Sequence, residues 1–157
     1  MNIQVLMSAM HQTNYDILKK ANIQTDAIII NQCDSIGFES FKYNNHDILF
    51  ISFPERGVGL SRNSGLMRSS ADIAVLGDED MSYVDGYGEI ILAEFEDNPR
   101  ADMIIFNVKS GNPDRPMKQI KKRSRVRLHS SLKFGAARIA VRVDRVKQKN
   151  IYFSLLF

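Results

Sequence analysis

The sequence has little of what cross-linked or membrane-spanning proteins are built from. One cysteine in 157 residues excludes an internal disulfide and any metal site that needs several cysteines. No stretch approaches the roughly 20 apolar residues that cross a bilayer. The first residues carry neither the basic region nor the long apolar region of a secretory signal. These features favour a cytoplasmic protein and leave peripheral contact with the inner face of a membrane open.

Acidic residues are scarce in the back of the chain. Residues 109–157 hold 14 Lys/Arg and 2 Asp/Glu, a net charge of +12, whereas residues 1–108 hold 7 and 16, a net charge of −9. With 44% hydrophobic and 25% charged residues, the whole chain has the composition and length of one globular domain. We expect residues 1–108 to form its core and residues 109–157 an incomplete basic segment of the same domain.

Apolar runs alternate with helix-like segments in the front of the chain. Strands are predicted at residues 3–9, 27–30, 48–53, 71–76 and 103–108. Helices are predicted at 60–70, at 87–95 and, as a short helix, from Thr13 to about residue 21. Thr13 and Asp16 have the spacing of a capping box at the start of the first helix. This alternation predicts an α/β fold, with a mostly parallel sheet flanked by helices and right-handed crossovers.

The sequence pattern changes after residue 108. Residues 109–116 read as a loop, residues 117–127 as a polar basic run, and residues 134–147 as an amphipathic helix. Residues 151–157 read as a strand. Since this last run ends without a polar tail, we expect the chain to be cut inside a larger fold. The apolar end also makes self-association plausible.

Three consecutive acids, Asp78, Glu79 and Asp80, follow the predicted strand at residues 71–76. Ligands of open α/β sheets bind beyond the carboxyl ends of the strands. A hard divalent cation, Mg²⁺ or Mn²⁺, would relieve the repulsion between these carboxylates and take further oxygens from a phosphate. The plain alternative is an acidic turn that caps the next helix.

A glycine-containing loop precedes the predicted helix at residues 60–70. Gly57 and Gly59 resemble the start of a dinucleotide fingerprint, but its third glycine would fall at Arg62, so that motif fails. The loop still offers backbone N–H groups and a positive helix terminus to an anion, and Arg62 adds charge beside a phosphate. The plain alternative is a cap with a solvated arginine.

The segment 56–80 resembles the family 2 glycosyltransferases of the GT-A fold in the order and spacing of its glycine loop, helix, apolar strand and acidic run. Those enzymes carry a Gly-x-x-x-Ala/Ser-Arg-Asn-x-Gly helix, then an apolar strand, then an acidic "DxD" signature. The matching residues here are Gly57, Ser61, Arg62, Asn63, Gly65, Asp78, Glu79 and Asp80. The resemblance reaches backwards over the first two strands and more loosely forwards to Phe157. It implies a GT-A, Rossmann-like sheet.

The resemblance also implies roles for individual residues. Asp80 would bind the divalent cation, Mn²⁺ or Mg²⁺, that bridges the nucleotide diphosphate, and Asp78 would contact the ribose or share the cation. Arg62 and Asn63 would line the nucleotide site. The resemblance implies two further nucleotide-binding residues. Ser8, at the end of the first strand, would lie near the base or ribose, and Asp34, after the second strand, would correspond to the family acid that reads the base edge.

The sequence departs from the family pattern in two places. His11 stands where family members have Pro and Tyr-Asn, and a lone loop histidine is more often structural or solvated than functional. The family's catalytic base is an Asp or Glu well after the metal motif, commonly in a Glu-Asp pair. Between residues 110 and 157 the only acids are Asp114 and Asp144, and neither has that context. The base is therefore not evident in residues 1–157.

The resemblance implies an inverting, metal-dependent glycosyltransferase of polysaccharide or glycoconjugate assembly. Its partners would be a nucleotide-sugar donor, UDP-sugar first, and a saccharide or glycolipid acceptor, with no nucleic acid. The alternative is a non-catalytic module that binds nucleic acid or anionic membrane through the basic segment 115–149. A nucleotidyltransferase on a related fold is a third reading, disfavoured because residues 8–14 contain no Gly, Lys or Arg.

Overall fold

A computed structural model describes residues 1–110, 114, 119–126 and 134–155. Its strands are β1 (Ile3–Met10), β2 (Asp26–Gln32), β3 (Gly37–Tyr43), β4 (His46–Phe53), β5 (Ile73–Asp78), β6 (Met103–Ile105) and β7 (Ile139–Arg142). Its α-helices are α1 (Asp16–Lys20), α2 (Val58–Arg68), α3 (Tyr87–Asp97) and α4 (Val143–Gln148). A 3₁₀ turn over Ala136–Arg138 precedes β7.

The seven strands form one sheet in the order β3-β4-β2-β1-β5-β7-β6. Strands β1, β2, β4 and β5 are parallel to one another, β3 pairs antiparallel with β4, and β7 lies antiparallel between β5 and β6. This is the expected α/β fold with a mostly parallel sheet flanked by helices. The four parallel strands end at a common carboxyl edge, with Ser8 of β1 opposite both Ile30 and Asp78.

The sheet is covered on both faces, as its apolar runs require. One core cluster includes Val5, Ile29 and the buried residues of α1 and α3, and the other includes Leu6, Ile28 and Leu66 of α2. Because side chains alternate between the two faces along β1, Val5 packs in the first cluster and Leu6 in the second. No helix among the described residues is long and apolar enough to cross a membrane.

Three local expectations are wrong. Residues 134–147 do not form one helix, because Ala140 and Val141 alternate between the two cores as part of β7. Of the strand predicted at residues 151–157, residues 151–155 form no strand and instead pack along α2, and residues 156–157 lie outside the described residues. The predicted capping box is absent, since Tyr15 is the N-cap of α1 and Asn14 Oδ1 accepts the amide hydrogen of Asp16 at 3.0 Å.

The hairpin β3–β4 was not predicted, and it is closed by a two-residue turn. Asn44 and Asn45 both have positive φ, 48° and 68°, between the paired residues Tyr43 and His46. Asparagine tolerates this conformation better than most residues, which suits tight hairpin turns. The hairpin adds an antiparallel edge strand beside the parallel strands.

Candidate functional site

The sequence-predicted residues gather where β1 and β5 end beside the start of α2. Arg62 Nη2 donates to Asp78 Oδ1 at 2.8 Å, and the hydroxyls of Ser8 and Ser61 lie 2.9 Å apart. The Arg62 side chain is only 13% exposed and the Asp78 side chain 36% exposed. Two consecutive residues of α2 thus join the ends of two adjacent strands. This brings three of the predicted residues, Ser8, Arg62 and Asp78, into one cluster.

The Arg62 guanidinium is not fully satisfied. Its Nε is buried and has no hydrogen-bond partner among the described residues. A buried donor of a charged group without a partner is costly, and an anion is the ligand that guanidinium groups bind most strongly. The N-terminal turn of α2 follows Gly57 and has no side-chain cap, so its amide hydrogens add positive potential at the same edge.

The three acids of the turn after β5 have three different environments. Asp78 is paired with Arg62. Glu79 Oε2 accepts the backbone amide of Met10 and the Gln12 side-chain amide, both at 2.9 Å, and so ties this turn to the loop after β1. Asp80 is exposed and has no hydrogen bond or ion pair within the described part of the chain. Only Asp80 presents a free carboxylate to solvent.

The turn rests on Tyr83, a partly buried side chain whose hydroxyl is itself buried. A Cβ at Gly77 would lie 2.5 Å from the Tyr83 hydroxyl, so glycine is required for this close approach. Burial raises the pKa of Tyr83 well above its ordinary value, with smaller contributions from Tyr87 and Asp78. Its hydroxyl has no hydrogen-bond partner within the described segments. Tyr83 therefore stays neutral and acts as an apolar support for the strand end.

The loop after β1 is fixed by the buried amide of Asn31. Asn31 Oδ1 accepts the Gln12 backbone amide at 2.9 Å, and its Nδ2 donates to the Gln12 carbonyl at 3.0 Å and to Ser52 Oγ at 3.1 Å. His11 is exposed, has φ of 51°, and donates its backbone amide to Gln32. Sequence reasoning missed Asn31, although a polar residue ending an apolar strand was the available signal.

Asp34 lies at the same edge but apart from the cluster. Its side chain is 90% exposed and accepts from Arg56 Nη2 at 2.5 Å, while Arg56 Nη1 donates to the Cys33 carbonyl.

The neighbouring Cys33 thiol has a lowered pKa. A hydrogen bond with the Ser35 hydroxyl is the main cause of this lowering.

Asn63, predicted to line the nucleotide site, faces a different partner. Its Nδ2 donates to the Phe153 carbonyl at 3.0 Å, and its Oδ1 accepts the Phe153 amide at 2.8 Å. The carbonyl of Ser154 lies so close to α2 that a Cβ on Gly59 would be 1.9 Å from it. Asn63 therefore fixes residues 151–155 against α2, a contact 90 residues away in sequence that no local pattern revealed.

Among the described residues, no group of three or more His, Cys, Asp or Glu side chains could hold a metal ion by itself. Asp80 is free, Asp78 keeps Oδ2 outside its bond to Arg62, and Glu79 is engaged. Mg²⁺ is commonly bound by one or two carboxylates together with substrate phosphates. The donor set fits a cation that is shared with a bound diphosphate.

Several cations of residues 109–157 have bonding partners within the chain. Lys147 donates to the carbonyls of Met67 and Ser69 at the end of α2, and Arg142 donates to those of Phe95 and Ala101. Asp102 pairs with Lys149. Within the basic run Arg123 pairs with Glu94, whereas Arg115, Lys118 and Arg127 lie outside the described residues.

Of the two late acids, Asp144 lies in the first turn of α4, at the amino edge of the sheet. Arg142, two residues earlier, pairs with Ile73, the first residue of β5. This is the end opposite the cluster of Ser8, Arg62 and Asp78. Asp144 is therefore not placed to act there.

No family model and no curated protein sequence matches this chain. Its fold is similar to that of S. aureus TarS: the structure of residues 1–349 with UDP aligns with a TM-score of 0.63 and 16% identity, over 98% of this chain and 50% of that one. The complex with UDP-GlcNAc gives 0.61, 16%, 98% and 49%, and a longer TarS structure gives 0.67, 17%, 98% and 30%. The chain thus spans about half or less of these proteins, and it shares its α/β fold with the part that aligns.

Proposed function

We propose that this chain is the donor-binding core of a glycosyltransferase that uses a nucleoside-diphosphate sugar, UDP-sugar first. The observation that carries the proposal is the Arg62–Asp78 pair beside the free carboxylate of Asp80, at the carboxyl edge of a GT-A-like sheet. TarS, which shares the fold, has been crystallised with UDP and with UDP-GlcNAc. The same edge is where open α/β sheets generally bind nucleotides.

Arg62 and the first turn of α2 would hold the diphosphate. The unpartnered Nε of Arg62 needs an acceptor, and a phosphate oxygen supplies one with opposite charge. Ser8 would lie near the ribose or base, and Asp34 would read the base edge after release from Arg56. Asn63 contributes indirectly, since its side chain fixes the segment that covers α2.

Asp80, with Oδ2 of Asp78, would hold Mn²⁺ or Mg²⁺ against the diphosphate. When bound, such a cation supplies positive charge that stabilises the leaving nucleoside diphosphate. Arg62 adds a fixed positive charge on the same group, and Asp78 holds that charge in place before the sugar–phosphate bond breaks.

The attack of the acceptor hydroxyl would proceed with inversion and needs a carboxylate to remove its proton. Glu79 is engaged with the loop after β1, and Asp144 lies at the opposite edge of the sheet. We propose that the chain, which spans half or less of its structural neighbours, binds nucleotide but transfers sugar poorly by itself. Residues 109–157 would lie on the side of a saccharide or glycolipid acceptor in polysaccharide or glycoconjugate assembly.

The alternative of a basic module for nucleic acid or membrane gains no specific support. Lys147 and Arg142 are bonded to backbone carbonyls, and Lys149 is paired with Asp102. Cations held in this way make poor phosphate contacts, because they must first give up their internal partners.

Calorimetric titration with UDP tests the proposal. We expect the wild type to bind UDP more tightly with Mn²⁺ than with EDTA, and Asp80→Ala to lose that difference. Glu55→Ala, a change of another exposed acid, should keep it. Equal binding of UDP with and without Mn²⁺ in all three proteins would contradict the proposed metal site. A wild type that does not bind UDP would contradict the proposed function.

A further inference from the structure

Phe153 covers the guanidinium of Arg62 on the side of residues 151–155. The Arg62 Cζ lies 5.7 Å from the centre of the Phe153 ring, within the range of a cation–π contact. Asp78 binds the same guanidinium through Nη2. Arg62 is thus held between an aromatic ring and a carboxylate, although the ring comes from a segment about 90 residues later.

The position of Phe153 is itself fixed by α2. Both backbone groups of Phe153 bond the Asn63 amide, which imitates the pairing of a neighbouring strand. One residue further on, the Ser154 carbonyl lies against Gly59, where only a residue without a side chain leaves room. The ring cannot slide along α2 without breaking these contacts.

This arrangement restricts a side chain that otherwise has many rotamers. A long arginine loses considerable rotamer freedom when a ligand fixes it, and this loss weakens binding. A ring and a carboxylate that already hold the guanidinium reduce the loss. They also keep Arg62 largely out of water, where its charge acts more strongly on an anion.

Resting on the proposed function, we propose that Phe153 is a positioning residue for the diphosphate of the donor: it holds Arg62 in its binding orientation, and Asn63 and Gly59 hold Phe153. The basis is the cation–π contact of Phe153 with Arg62 together with its two hydrogen bonds to Asn63. Phe153 does not touch the nucleotide and acts only through Arg62.

A double-mutant cycle, read by NMR titration with UDP and Mg²⁺, tests this. Phe153→Leu keeps apolar volume but removes the π face, so it should weaken UDP binding about fivefold in the wild-type background. Phe153→Tyr should restore binding. In an Arg62→Gln background, which already binds about tenfold more weakly, Phe153→Leu should have no further effect. Tyr152→Leu, a neighbouring exposed aromatic, is the matched control and should bind like the wild type.

The outcomes separate this inference from the proposed function. An equal loss from Phe153→Leu in both backgrounds, or a loss that Phe153→Tyr does not restore, would assign Phe153 a purely structural role and overturn the inference. Unchanged binding by Phe153→Leu would do the same. If UDP binds and Arg62→Gln weakens it, the proposed function stands in each case. A wild type that does not bind UDP would overturn both.

Discussion

Arg62 of α2 and Asp78 at the end of β5 form a salt bridge of 2.8 Å in which the arginine side chain is only 13% exposed. A second Asp–Arg pair on the same edge, Asp34 with Arg56, is far more open, with Asp34 90% exposed. The two pairs have the same chemistry and different burial. They therefore make a matched comparison of what burial contributes.

Asp78→Asn should destabilise the chain by about 2 kcal/mol, because it leaves the Arg62 charge largely buried without its counter-charge. Asp34→Asn should cause no measurable change, since exposed pairs contribute little. The free energy of unfolding from urea denaturation, followed by circular dichroism, measures both. An equal effect of the two substitutions would contradict the assignment of Arg62–Asp78 as the pair that holds the edge together.

Gly59→Ala should destabilise the chain by about 1–3 kcal/mol, because the new methyl group would collide with the Ser154 carbonyl. In a solvated helix the same change would stabilise by roughly 1 kcal/mol, so the sign of the effect is informative. The control is Gly135→Ala, where an added Cβ meets nothing within 4 Å and φ is −70°. A stabilising Gly59→Ala would show that residues 151–155 do not pack on α2.

The Cys33 thiol should be alkylated with a pH midpoint below that of an ordinary cysteine. The thiolate is the reactive form, so a lowered pKa moves the rise of the rate–pH curve to lower pH. The Ser35 hydroxyl is the main cause of the lowering. Ser35→Ala should shift the midpoint back upwards. Iodoacetamide rates from pH 6 to 10 measure both proteins, and coincident curves would refute this role of Ser35.

The central part of the fold could be predicted from the sequence because its signals are local. The run of three isoleucines in β2 can only be buried on both faces, and the acids after β5 mark a strand end. The edges of the sheet gave weaker signals. The β3–β4 hairpin depends on two adjacent asparagines, a less familiar turn signal than Asn-Gly.

The error at residues 134–147 has a physical cause. A helix over residues 134–147 would place Arg138 and Arg142 on its polar face, yet Arg138 is buried and Arg142 bonds two backbone carbonyls. A charged side chain can donate its hydrogen bonds to backbone carbonyl oxygens as well as to water. The local sequence pattern does not distinguish these two environments. The result is a short strand, β7, in place of a long helix.

The candidate site was predicted residue by residue but not as a set of contacts. Arg62 and Asp78 lie 16 positions apart, and their pairing follows from a helix that returns beneath the sheet. The bonds from Asn63 to Phe153 depend on a segment with no periodic pattern. Such contacts depend on the tertiary fold. The bonds between Asn63 and Phe153 could therefore not be expected from the sequence pattern around Asn63.

The most direct test of the donor site is to map where the nucleotide binds. In ¹H–¹⁵N NMR spectra of the ¹⁵N-labelled protein, saturating UDP with Mg²⁺ should shift the amides of residues 8–12, 31–34, 57–63 and 77–80. The amides of the basic residues 119–126 should stay unchanged. Shifts confined to residues 119–126, or spread evenly over the surface, would contradict a nucleotide-sugar site at the carboxyl edge of the sheet.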